Sequence, residues 1–145
     1  MKTPIEFQRS KGELTDAMDR IRSYAHRTPI LTSNQLDGMV GAQLFFKCEN
    51  FQRMGAFKFR GAINAVLKLN DDQRQKGVVT HSSGNFAQAV SLSGQLLNTA
   101  AHITMPENAP QVKIDAVRRY GGNIVFCSKE VEDRERTVRE VIKKT

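Results

Sequence analysis

The sequence predicts an α/β fold in which a parallel sheet is covered by helices on both faces, in three αβα layers. Three observations point to it. From residue 76 onward, short β-rich apolar segments alternate with helical segments of about a dozen residues, the pattern of βαβ crossovers. No internal repeat, low-complexity tract or linker divides the 145 residues in another way. Hydrophobic residues at 39% and charged residues at 26% are enough to bury a core in one domain or a pair of small lobes.

Taken in order, segment 13 to 26 (ELTDAMDRIRSYAH) sets Leu14, Ala17, Met18, Ile21 and Ala25 at helical spacing. A leading helix is expected there, broken by Arg27, Thr28 and Pro29. A loop with Gly38 and Gly41 follows, then the strand-like QLFFKC, an irregular stretch ENFQRMGAF and a helical segment from about Lys58 to Leu69. The remainder alternates without interruption. KGVVTH, TAAHITM and GGNIVFC read as strands, and NFAQAVSLSGQLL, APQVKIDAVRRY and EVEDRERTVREVIKK read as the helices that follow them. The last helix carries Val131, Val138, Val141 and Ile142 on one face, which requires a sheet to pack on.

Charge and composition narrow the function. A formal net charge of +7 raises the question of nucleic acid. The basic residues are nevertheless spread along the chain, and from Lys129 to Lys144 they are interleaved with glutamates and Asp133, as on a solvated helix face. No clustered basic face with interleaved aromatics is present, so no nucleic-acid partner is expected. An anionic cofactor, or an acidic half of the protein outside this chain, accounts for the excess as well. The first residues, MKTPIEFQRSKGE, lack the apolar core of a signal peptide, and no apolar run is long enough for a membrane span. A soluble cytoplasmic protein is the expectation. Cys48 and Cys127 each end a short apolar segment and read as free, packed thiols. His26, His81 and His102 are scattered singly, so no metal site is expected.

Two segments carry chemistry. HSSGN, residues 81 to 85, joins the strand KGVVTH to the helix that follows. At such a junction the free amides of the helix start attract anions. Ser82, Ser83 and Asn85 add side-chain donors, and Gly84 lets the backbone approach a ligand. The segment is a cradle for a carboxylate or phosphate, or else Ser83 or Asn85 simply caps the helix. In MGAFKFRGA, residues 54 to 62, Lys58 lies between Phe57 and Phe59. An amine in apolar surroundings loses protons readily and attacks aldehydes. By spacing alone, a lysine at a helix start also reads as a snorkelling surface residue.

The segment KCENFQRMGAFKFRGA closely resembles the cofactor-lysine segment of the fold-type II pyridoxal 5′-phosphate (PLP) enzymes, and HSSGNFAQAV resembles the serine and asparagine loop that follows it. HRTPIL at residues 26 to 31, MPENAP, Lys113, Tyr120 and Gly121 match in the same order. The arginine and glycine of FKFRGA resemble the serine and threonine dehydratases, the 3-hydroxyaspartate dehydratases and the serine racemases, rather than cysteine synthases. The resemblance implies the tryptophan synthase β-subunit-like fold. It further implies that Lys58 forms the Schiff base with PLP and later moves the substrate α-proton, with Phe57 beside the cofactor ring and Asn85 bonded to the cofactor's phenolic oxygen. Ser82, Ser83, Gly84 and Asn85 would receive the substrate carboxylate. Ser83 also matches the opposite-face acid or base of the racemases. Arg134 matches an arginine that reaches that carboxylate, unless it is only a solvated helix charge.

The implied reaction converts a small β-hydroxy amino acid, namely serine, threonine or 3-hydroxyaspartate, into a 2-oxo acid and ammonia. Racemisation is a second outcome at the same site. Met54 and Ala56 stand where the family commonly has threonine and serine, and no GGGG-like phosphate loop is found. The resemblance therefore assigns residues 1–69 to the first part of a large PLP-binding domain and 70–145 to a small domain, with the remainder of the large domain outside this chain. The full-length form is expected to be a homodimer, and this chain alone is expected to retain PLP weakly or not at all. The competing expectation is a catalytically incomplete fragment or a partner-binding module that keeps the small-domain fold.

Overall fold

The computed structural model describes residues 11–144. Helix α1, Lys11–Ile21, opens the described chain. It stops before the expected His26, because the amides of Tyr24 and Ala25 both donate to the carbonyl of Ile21 at 2.9 Å. The Tyr24 carbonyl in turn accepts from Arg53 Nε at 2.5 Å, so tertiary bonds draw residues 22–26 out of the helix. Leu14 and Met18, expected on the apolar face, are exposed, whereas Ile21, Tyr24 and Ala25 pack on the core.

Next comes a two-stranded antiparallel ribbon, β1 (Ile30–Leu31) and β2 (Phe46–Lys47), with Ile30 opposite Lys47 and Leu31 opposite Phe46. The loop expected around Gly38 and Gly41 is in fact helix α2, Asn34–Val40. The Ser33 hydroxyl accepts from Leu36 N at its start, and Gly41, at φ 68, closes it by donating to the Asp37 carbonyl. After an irregular stretch come α3 (Lys58–Leu67), two residues shorter than expected, and a short α4 (Asp71–Lys76). A reciprocal capping box between Asn70 and Gln73 starts α4.

From here strand and helix alternate as expected. β3 (Val78–His81), α5 (Asn85–Leu96), β4 (Ala101–Pro106), α6 (Gln111–Arg119), β5 (Asn123–Cys127) and α7 (Val131–Lys144) form a three-stranded parallel sheet in the order β3-β4-β5. Ala101, Ile103 and Met105 of β4 share one core cluster with Ala87 and Val90 of α5 and Ile114 and Val117 of α6. Alternation turns His102, Thr104 and Pro106 to the other face, where α7 packs across all three strands. On α7 only Val141 of the expected apolar stripe is buried, while Val131 and Ile142 are exposed. A second cluster, Phe59, Ile63 and Leu92, joins α3 to α5 and receives Ile21, Tyr24 and Ala25. Met54 packs against both clusters.

Candidate active site

The turn that delivers Lys58 is built from two 3-10 turns, Glu49–Phe51 and Arg53–Gly55. Met54 and Gly55 are consecutive residues with positive φ, 54° and 74°. Glycine takes that conformation freely. For methionine it costs roughly 1 kcal/mol, offset by the packing of its side chain on both core clusters. Ala56 is buried, Phe57 is the N-cap residue and Lys58 is the first residue of α3. The ammonium of Lys58 sits 5.0 Å from the centroid of the Phe57 ring, a cation–π distance. Phe59 is fully buried, but Phe57 is 58% exposed and Lys58 is exposed with it. The expected apolar surroundings of Lys58 are thus present on one side only.

The loop Ser82–Gly84 leaves β3 at the carboxyl edge of the sheet and enters α5. Ser82 holds it: its backbone amide donates to the Thr104 carbonyl at 3.1 Å, and its hydroxyl accepts from the amides of Gly84 at 3.3 Å and Ala87 at 3.2 Å. The capping expected of Ser83 or Asn85 therefore falls to Ser82, whose O–H hydrogen remains to donate. Ser83 and Gly84 are half-buried, and a Cβ built on Gly84 meets nothing within 4 Å, which leaves the backbone open to a ligand. Asn85 opens α5, where the first amides have no intrahelical acceptor. Its Oδ1 accepts from Lys113 Nζ at 2.9 Å, leaving the amide NH2 to donate elsewhere.

Arg134 belongs to the same edge of the sheet but lies after β5. With β4 between them, β3 and β5 are about 10 Å apart. The Arg134 guanidinium donates to the Lys129 carbonyl at 2.5 Å, and its Nε is buried with no hydrogen-bond partner among the described residues. Asp133 beside it accepts from the Ser128 amide at 2.7 Å, which holds its carboxyl below the usual range. Burial, and then Asp133, push the Cys127 thiol up. Cys127 is buried, and Cys48 only half-buried.

A further group of residues was not singled out from sequence. Arg60 donates to both carboxylate oxygens of Glu49, from Nε at 2.9 Å and from the terminal guanidinium at 2.8 Å. The same nitrogen reaches the His26 carbonyl at 3.0 Å and Thr28 Oγ1 at 3.3 Å. The Thr28 hydroxyl donates to Glu49 at 2.6 Å, and Lys47 donates to the Thr28 carbonyl at 2.7 Å. The hydrogen bonds from Arg60, aided by Thr28, hold the Glu49 carboxyl at about 2 against the cost of its burial. Gln52, 3% exposed, accepts from the His26 amide and donates to the His26 carbonyl, each at 2.9 Å. Charged and amide residues inside a stretch rich in phenylalanine were the available signal.

An accessible amine at a helix start, packed through its turn onto a second helix, thus shares the fold with a loop of two hydroxyls and a helix start with free amides, a donor set suited to an anionic group. The chain belongs to the family of pyridoxal-phosphate dependent enzymes, whose family model matches residues 21–145. It is 53% identical over 130 residues to the L-threo-3-hydroxyaspartate ammonia-lyase of Saccharomyces cerevisiae, covering 90% of this chain and 40% of that protein. It is 50% identical over 132 residues to the serine racemase of Oryza sativa subsp. indica, covering 91% and 39%. The solved structure of maize serine racemase superposes with a TM-score of 0.90 at 48% identity, over 92% of this chain and 41% of that one. The chain thus spans about 40% of the length of the curated relatives it matches.

The donor set fits the family's cofactor. Lys58 offers an accessible amine, Phe57 an exposed ring face beside it, and Asn85 a free amide donor. The only adjacent glycine pair in the sequence, Gly121 and Gly122, lies between α6 and β5, at the opposite edge of the sheet from Ser82–Asn85.

Proposed function

We propose that this chain carries the reactive lysine and the carboxylate loop of a PLP-dependent ammonia-lyase. Its substrate would be a β-hydroxy amino acid, 3-hydroxyaspartate, serine or threonine, and its products a 2-oxo acid and ammonia. Racemisation of serine would be a second outcome at the same site. The observation that carries the reading is that Met54 locks the turn before Lys58 onto α5, the helix that begins at the serine loop. The names of the similar ammonia-lyase and racemase support the substrate class.

In this reading Lys58 would hold the cofactor, and its Nζ would accept the substrate α-proton. Phe57 would flank the cofactor, and Asn85 would offer it an amide donor. Ser82, Ser83 and the amides around Gly84 and Asn85 hold the substrate carboxylate, with Arg134 approaching from the far side of the sheet edge. Ser83 presents its hydroxyl on the face opposite Lys58, where it delivers a proton in racemisation. Pyridoxal 5′-phosphate, when bound, supplies the electron sink for the charge left at the α-carbon. The proton taken from the α-carbon would leave with the β-hydroxyl as water, and a second water would hydrolyse the released unsaturated amine to the 2-oxo acid and ammonia.

We place residues 1–69 in the first part of a large domain and 70–145 in a small domain of a protein that is homodimeric at full length. The reading as a cytoplasmic protein rests on two unpaired cysteines, in keeping with a reducing compartment. None of the described helices is long and apolar enough to cross a membrane. The test is an absorbance spectrum with added PLP, then borohydride reduction, peptide mapping and assay of 2-oxo acid formation. Trapping on Lys58 that disappears in K58A supports the reading, and label scattered over surface lysines overturns it.

A further inference from the structure

We infer that the Glu49–Arg60 pair is a positioning device for Lys58, closed by Thr28 and Gln52 around the His26 carbonyl. The inference rests on the reading of Lys58 as the cofactor lysine. The turn from residue 52 to residue 60 contains the two consecutive positive-φ residues, Met54 and Gly55, and then delivers Lys58. Both ends of that turn are tied to one acceptor: the His26 carbonyl takes Gln52 Nε2 at 2.9 Å and the Arg60 guanidinium at 3.0 Å. Glu49 fixes the Arg60 fork from two sides, and the Thr28 hydroxyl, on a residue only 4% exposed, fixes Glu49.

The geometry of the helix turns this pinning into a heading for Lys58. Residues two apart lie roughly 200° around an α-helix. With Arg60 anchored toward Glu49 and Phe59 sunk in the core, Lys58 is turned to the remaining, open side. Phe59 alone leaves freedom for the turn to slide, because apolar contact is not directional. A bidentate fork between planar groups is directional, and lysine lacks it. The polar atoms of Glu49 and Arg60 are engaged with each other, Thr28 and the His26 carbonyl, so the pair is assigned to act through Lys58.

The test measures trapping of pyridoxal 5′-phosphate by cyanoborohydride in the full chain, with the Lys58 label expressed relative to Lys76 and Lys143 in the same sample. R60K keeps the charge and loses the fork, and E49Q keeps the shape and loses the charge. Thermal unfolding identifies which variant is folded at the assay temperature, and E49Q decides where R60K is not folded. The expected result is a fall of roughly tenfold or more in the Lys58 ratio of the folded variant. The pH profile of the remaining label should shift as well. A folded variant with an unchanged ratio overturns the inference and leaves the Lys58 reading intact. A wild-type chain without preference for Lys58 overturns the reading, and the inference with it.

Discussion

Lys113 and Asn85 show how much a single hydrogen bond decides about a side-chain amide. With Oδ1 taken by the Lys113 ammonium, the NH2 of Asn85 is the group left to meet a negatively charged oxygen. K113M removes that orientation without touching Lys58, the proposed cofactor lysine. Its expected effect is a PLP dissociation constant about tenfold higher, for the loss of one charge-assisted hydrogen bond. A fluorescence titration of K113M against wild type measures it, and equal constants would show that Asn85 is oriented by something else. Glu49 gives a prediction with a sign. Its carboxyl falls from 4.5 to about 2 on folding, so its contribution to stability is complete above about pH 5 and is lost as the pH falls toward 2. E49Q is expected to be less stable than wild type by about 2 kcal/mol at pH 7. Urea unfolding at a series of pH values should show the two proteins converging as the acid range is entered, and a constant gap would contradict the assignment.

The elements differ in how legible they are in the sequence, and the reason is length. β3 to α7 repeat a strand of four to six residues and a helix of nine to fourteen, long enough for both periodicities to register. Helices α2 and α4 span seven and six residues, less than two turns, and their signals are caps: Ser33 and Gly41 for one, Asn70 with Gln73 for the other. The site divides in the same way. Lys58 and the serine loop stand out by residue type, but that Ser82 does the capping and that Phe57 leaves Lys58 open depends on contacts outside each motif. The polar clamp is less legible still, because its members come from three stretches, His26–Thr28, Glu49–Gln52 and Arg60. Strand β4 offers a stability test. Thr104 Oγ1 is buried on the α7 face without a hydrogen-bond partner among the described residues. T104V replaces that hydroxyl with a methyl group of similar size and is expected to raise stability by about 1 kcal/mol. Calorimetry would show the rise, whereas a fall would mean that the hydroxyl is bonded in solution.

Across the whole molecule, large apolar side chains at the surface concentrate between residues 30 and 57: Ile30, Leu31, Met39, Val40, Phe45 and Phe57 are all more than half exposed. Apolar side chains clustered on a surface favour association. The double variant M39K/F45K is expected to sediment as a smaller species than wild type at equal concentration. Because both side chains are already in water, its unfolding midpoint should shift by no more than about 0.5 kcal/mol in stability terms. Sedimentation velocity and thermal melts together check this, and a large loss of stability would place these residues in contacts the fold does not show.

The clamp around the His26 carbonyl also bears on how such sequences change over generations. Removing the Glu49 carboxylate strands a half-buried guanidinium, and removing Arg60 strands a half-buried carboxylate, so each first step toward a new pair is costly while the double step is not. Positions 49 and 60 should therefore be inherited as a couplet, with position 28 changing only in their company. An alignment deep enough to count replacements would show the two moving together, and lineages that kept an arginine at 60 beside an alanine at 49 would count against it.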